Sequence, residues 1–172
     1  MIEKGVLMLL VADTDTAAYV GNRVYWNLQP KGTQVPSVVL DIIATNDLYS
    51  MGGTSGMREL VLQADCYAAD FYSARGLSRA VRLLLENYTG NLPDADATSV
   101  SSCIISKDFD MQYEPGGKGF IYRSLLEIRM RYYDTYLPVS TPSNPYPTID
   151  GGTFTGDDDS NVTEAQIDGG TS

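Results

Sequence analysis

Asp41, Glu59 and Asp65 fall in strand-like stretches that could lie side by side. Two carboxylates converging in a pocket are the least equipment for general acid–base work on a carbohydrate or anionic substrate. On an exposed strand face, however, such acids are ordinarily just solvated. Cys66 follows Asp65 directly, but a nucleophilic thiol needs a base or a cationic setting, and the 172-residue chain contains no His. The same absence removes Ser-His and Cys-His pairs and most zinc sites. Gly116-Gly117-Lys118-Gly119 imitates a phosphate loop. It lacks the leading glycine at the required spacing and the hydroxyl residue after the lysine, and it runs into a strand, so it reads as a hairpin turn. The acids at Asp157, Asp158 and Asp159 stand consecutively, without the alternating ligands, turn glycine and distal bidentate acid of a calcium loop. No catalytic residue, cofactor or metal is expected.

The arginines carry more information. Arg75, Arg79 and Arg82 fall on one face of a predicted helix, and Arg123, Arg129 and Arg131 on one face of a predicted strand. Together they are half of the 12 basic residues. Arginine is the cation best suited to protein interfaces, so these faces are expected to meet acidic surfaces of neighbouring copies rather than water alone. Twelve tyrosines fit extensive contact surfaces. A net charge of −10 argues against gripping nucleic acid, which rests on surplus Lys and Arg.

These side chains need elements to hold them. Ile2, Val6, Leu9 and Leu10 mark one face of a short first helix, and Asp13 to Val20 reads as a second helical turn with Asp and Thr as caps. Gly21-Asn22 breaks it. Strands follow at 23–27, 37–45 and 58–67, with Asn46 to Met57, which contains GGTSG, as a long flexible connection. The longest helix is predicted over Ala69–Tyr88, its buried stripe formed by Phe71, Ala74, Leu77, Val81, Leu84, Leu85 and Tyr88 and its end set by Gly90 and Pro93. Strands near 100–111 and 120–133 complete residues 1–136. In the last of them Leu126, Ile128, Met130 and Tyr132 alternate with Glu127, Arg129 and Arg131. The order predicts an α+β domain: a mainly antiparallel sheet with one long helix and a short N-terminal helix packed on it. Its expected core includes Leu10, Val38, Leu40, Ile42, Leu62, Val81, Leu84, Leu85, Ile104, Leu126 and Ile128. Cys66 and Cys103 read as buried free thiols of a reducing cytosol, with a single bridge between them left open. The longest apolar run, Gly5–Ala12, is far short of a bilayer span, and neither an export signal nor a membrane segment is expected.

From Leu137 the composition shifts to Pro, Gly, Ser, Thr and Asp. Residues 137–172 hold six acids and no base. Their apolar residues are too sparse to offset the entropy of ordering, so this segment is expected to be an extended acidic arm. Tyr146, Ile149 and Phe154 are its candidate anchors on a partner. IDGGT occurs at 149–153 and again at 167–171, which is too little for a repeat fold.

Four stretches, in order, resemble the tail-completion or tail-terminator family of long-tailed bacteriophages. VGNRVYWN matches a Val-Gly-x-Arg-x-Tyr element, and Pro36 in QVPSVVL precedes the second strand as in the family. LVLQADCYAADFYSARGLSRAVRLLL is similar to its strand–helix junction, and MQYEPGGKGFIYRSLLEIRM to its Tyr-Glu turn and final strand. The resemblance spans nearly all of 1–136 and none of the arm. It implies a virion structural protein that assembles as a hexameric ring, caps the head-proximal end of the tail tube and stops its growth. Its implied partners are further copies of itself, the tail tube protein and a head-completion protein of the neck, with DNA passing through the lumen unheld. The implied location is the virion, after assembly in the host cytoplasm. The open alternatives are a head-side joining or stopper protein, a tube subunit, a soluble adaptor using the acidic arm on a host protein, and the small carboxylate enzyme considered above.

Overall fold

A computed structural model describes residues 1–51, 53–113 and 121–134. Helix α1 (Ile2–Ala12) turns Ile2, Val6 and Leu10 inward at four-residue spacing. It stops at Asp13, whose carboxylate accepts from the Thr16 amide at 2.8 Å and so caps α2 (Thr14–Val20). Gly21 takes a positive φ of 55° at the end of α2 and releases the chain into β1 (Val24–Trp26). Then come β2 (Ser37–Ser50), β3 (Gly53–Ala68), α3 (Phe71–Leu85), β4 (Gly90–Asn91), β5 (Ser99–Tyr113) and β6 (Ile121–Tyr133).

The strands form one sheet in the order β1-β2-β3-β6-β5-β4, and the class is α+β as expected. All neighbours pair antiparallel except β1, which runs parallel to β2 with Val24 opposite Val38. The segment between them is tied back by Arg23, whose Nε donates to the Pro36 carbonyl at 2.7 Å, and by the Asn27 amide, which donates to the Leu40 carbonyl.

Three expectations need correction. Asn46–Met57 is not a flexible connection: β2 continues to Ser50 and pairs there with Gly53, giving a long hairpin. Helix α3 is shorter than predicted, because the chain turns extended at Glu86 and Asn87 takes a positive φ of 63° before Gly90 is reached. Ile42 and Ile104 are exposed rather than core, and Phe71, expected at the head of the buried stripe of α3, is exposed as well. The reason for Ile104 is a register shift between Val100 and Ser102. One extra residue reverses the alternation, so Cys103 and Ile105 turn inward and Ile104 outward. A second shift, between Ile105 and Lys107, restores the original phase.

The helices cover one face of the sheet. Leu10, Val38, Leu40, Leu62, Leu77, Val81, Leu85, Leu126, Ile128 and Met130 are fully buried there, and Leu84 packs at the rim. Cys66 and Cys103 are buried and unbridged. They lie opposite Ser124 and Met130 on the two sides of β6, which puts them ~20 Å apart along the strand, whereas a disulfide needs Cα atoms within ~7 Å.

Candidate functional site

The six predicted arginines fall into two sets on opposite faces. Arg75, Arg79 and Arg82 stand on α3, above the helix-covered side of β5. The second register shift of β5 directs Asp108 and Asp110 towards them. Asp108 bridges two turns of the helix, accepting from Arg75 Nη1 and, at 3.1 Å, from Arg82 Nη1. Arg82 also grips Glu86 in a fork, with Nε to Oε2 at 2.9 Å and Nη2 to Oε1 at 3.2 Å. Arg82 thereby holds the Glu86 carboxyl below the usual carboxylate range. Arg79 lies between these two, exposed, with no ion pair among the described residues. Together with Ser78 and Leu83, the three arginines and Asp108 line a shallow hollow of about 360 Å³.

Arg123, Arg129 and Arg131 project from β6 onto the other face, which none of the described helices covers. Arg123 Nη2 donates to Asp65 at 2.7 Å, and Asp65 is only 3% exposed. Gln63 donates to both oxygens of Asp65 from the same strand. Arg131 pairs across the sheet with Glu59 at 3.2 Å, while Arg129 is 3.8 Å from Glu127 and half exposed. Five of the six arginines therefore already face acids of their own chain. Apart from the buried Arg123–Asp65 pair, these pairs are largely exposed and contribute little to stability, so exchanging their partners at an assembly surface costs little.

Of the three candidate acids, the structure brings two together. Asp41 and Asp65 sit diagonally on β2 and β3 and share the wall of a 630 Å³ cleft with the segment from Asn27 to Thr33, Val35 and Tyr67. Burial, and then the neighbouring Asp65, push the Asp41 carboxyl up. Asp65 is committed to Arg123 and Gln63, which leaves one uncommitted carboxylate where the acid–base chemistry needs two. Glu59 lies six residues along β3, at the other end of the face. Burial raises both thiols, Cys103 up to about 12, so neither is a nucleophile. Among the described residues no cluster of His, Cys, Asp or Glu is arranged to hold a metal, and no helix is long and apolar enough to cross a membrane. Tyr146, Ile149 and Phe154, the Gly116–Gly119 turn and the rest of residues 137–172 lie outside the described residues.

The sequence reading missed the free strand edges. Among the described residues, the outer edge of β2 is open from Asp41 to Ser50 beyond its three pairs with β1, and that of β5 from Ile104 to Tyr113, beyond β4 and the Asn87 amide, which donates to the Cys103 carbonyl at 2.9 Å. The apolar residues Ile43, Tyr49, Ile104, Phe109 and Met111 are exposed along them.

No protein-family model matches the chain, and no curated protein matches it. Among solved structures, it is similar to a chain of the virion of a native gene transfer agent particle, at 21% identity and a TM-score of 0.64. The match covers 77% of this chain and 95% of that one. At that identity the likeness establishes a shared fold.

Proposed function

We propose that this chain is a structural protein of a phage-like virion, a ring that closes the head-proximal end of the tail tube and joins the tail to the neck. The observation that carries the reading is the fold shared with almost the whole length of a chain from a gene transfer agent virion. The four family-like stretches of residues 1–136, in matching order, favour the tail-terminator branch and a ring of six copies. The partners are then the tube protein on one side and a head-completion protein on the other. DNA crosses the lumen without being held, in keeping with the surplus of acids. No catalysis belongs to this role. The acidic arm, 137–172, reaches from the ring to a neighbour carrying positive charge, through Tyr146, Ile149 and Phe154.

The deciding experiment is native mass measurement across concentration, followed by fractionation of particles. A ring several times the 18.8 kDa chain, found with tails rather than heads, supports the terminator. Recovery with heads points instead to a joining or stopper protein. A strict monomer absent from both particles sinks the virion reading. Removing residues 138–172 should leave the ring intact and yield heads and tails that separate.

A further inference from the structure

We infer that copies of this chain join edge to edge, the free edge of β2 in one copy pairing antiparallel with the free edge of β5 in the next, so that one sheet runs unbroken around the assembly. This rests on the ring reading above and names the surface that builds it.

A sheet normally ends in short, charged or covered edges, because an open row of amides and carbonyls is a template for another strand. Here, among the described residues, β2 and β5 are only partly covered, β2 by the three residues of β1 and β5 by the two of β4 and by Asn87. Ten residues of β2 and ten of β5 are left open among the described residues, roughly 30 Å of strand each. The lengths match, and both edges carry exposed apolar side chains among polar ones. Ile43 is 56% exposed on β2 and Ile104 52% on β5.

Direction agrees as well. From β2 to β3 to β6 to β5 the strand direction reverses three times, so β2 and β5 are antiparallel to each other within one copy. A second copy, brought alongside by rotation without being turned over, sets its β2 against β5 in antiparallel fashion. That is the pairing the rest of the sheet already uses. All helices then stay on one side and all uncovered faces on the other. The two edges differ, so the contact is head-to-tail and closes on itself only as a ring; the half-barrel curl of the sheet supplies the rotation. The charges suit the contact. β2 carries Asp41 and Asp47 and no base, and α2, packed on β2, adds the exposed Asp15. On the opposite flank β5 carries Lys107, Asp108 and Asp110, whose two acids Arg75 and Arg82 of α3 already pair, and α3 adds Arg79, which has no ion pair among the described residues.

The test uses two edge variants of the full chain, Ile43→Lys with Tyr49→Lys, and Ile104→Lys with Met111→Lys. All four positions are exposed, so each variant should melt like the parent. Native mass should show each alone as a monomer and an equimolar mixture as a dimer, because each retains the edge that the other lacks. Rings of normal size from either variant, or a mixture that stays monomeric while the parent forms rings, would overturn the edge pairing and leave the ring reading standing. A parent chain that is monomeric at every concentration overturns the ring reading, and this inference with it. Hydrogen exchange gives a readout without substitutions: amides of 41–50 and 104–113 should exchange more slowly in rings than in the dissociated chain. Unchanged exchange at both edges counts against the pairing even if the variants fail to fold.

Discussion

At the scale of single residues, the uncovered sheet face turns on Asp65. A carboxylate this buried is tolerated because Arg123 and Gln63 replace the water it lost. Arg123→Met removes the cation and leaves the acid stranded, which should cost about 3 kcal/mol or more by chemical denaturation. Adding Asp65→Leu should recover much of that loss, since an apolar pair avoids desolvating any charge; no recovery would show that the ion pair itself stabilises the fold. Asp41, its diagonal neighbour, works in the opposite direction. Its carboxyl is raised by burial, so the fold favours the protonated form, and ionisation is a penalty that grows as pH rises through the raised value. Asp41→Asn should therefore raise Tm at pH 7 and change nothing well below pH 3.8, the unperturbed value. Equal effects at both ends of a Tm-versus-pH series would rule this out.

Elements meet through two helical glycines whose surroundings differ. Glycine inside a helix is ~1 kcal/mol worse than alanine, so both Gly5 and Gly76 look improvable from the sequence. A methyl group on Gly5 would lie 2.7 Å from Cβ of Leu92, a buried residue with nowhere to go. At Gly76 it would meet the hydroxyl end of Tyr19, which is 39% exposed and can swing aside. Urea titrations should accordingly show Gly5→Ala destabilised and Gly76→Ala unchanged or stabilised by up to ~1 kcal/mol. The grading along α3 follows the same logic. Leu77 is fully buried and Leu84 sits at the rim, so Leu77→Ala should cost about 3 kcal/mol and Leu84→Ala clearly less. Equal losses would mean that α3 is rotated from the orientation described.

For the molecule as a whole, the net charge of −10 sets how it responds to acid. Arg82 holds Glu86 and Lys107 holds Glu127 below the usual carboxylate range, and hydrogen bonds from Ser73 do the same for Asp70. A lowered carboxyl contributes stability above its unfolded value and loses it as pH falls through the folded one. Tm should hold steady from pH 7 to about 4.5, the unperturbed Glu value, and decline below it. Since these pairs are exposed, added salt should shrink the decline. A Tm that rises on acidification even in Asp41→Asn, where the relief of that buried acid is absent, would show that self-repulsion among the acids outweighs the pairs.

Much of the architecture was legible in the chain. Helical spacing fixed the inward faces of α1 and, from Ala74 to Leu85, of α3, alternation fixed the inward face of β6, and the absence of His excluded whole classes of chemistry. Those patterns survive because they reflect each element's own repeat against a single apolar layer. Three features had no such local signature. The register shifts in β2 and β5 reverse which residues face the core, and they alone bring Asp47 to Arg58, and Asp108 to Arg75 and Arg82. Periodicity assumes an unbroken phase, so it placed Ile104 inside. The division of the arginines between two faces and the freedom of the β2 and β5 edges both depend on strand order. That order is set by which strands bury the most area together, a property of the packed sheet and not of any one segment of sequence.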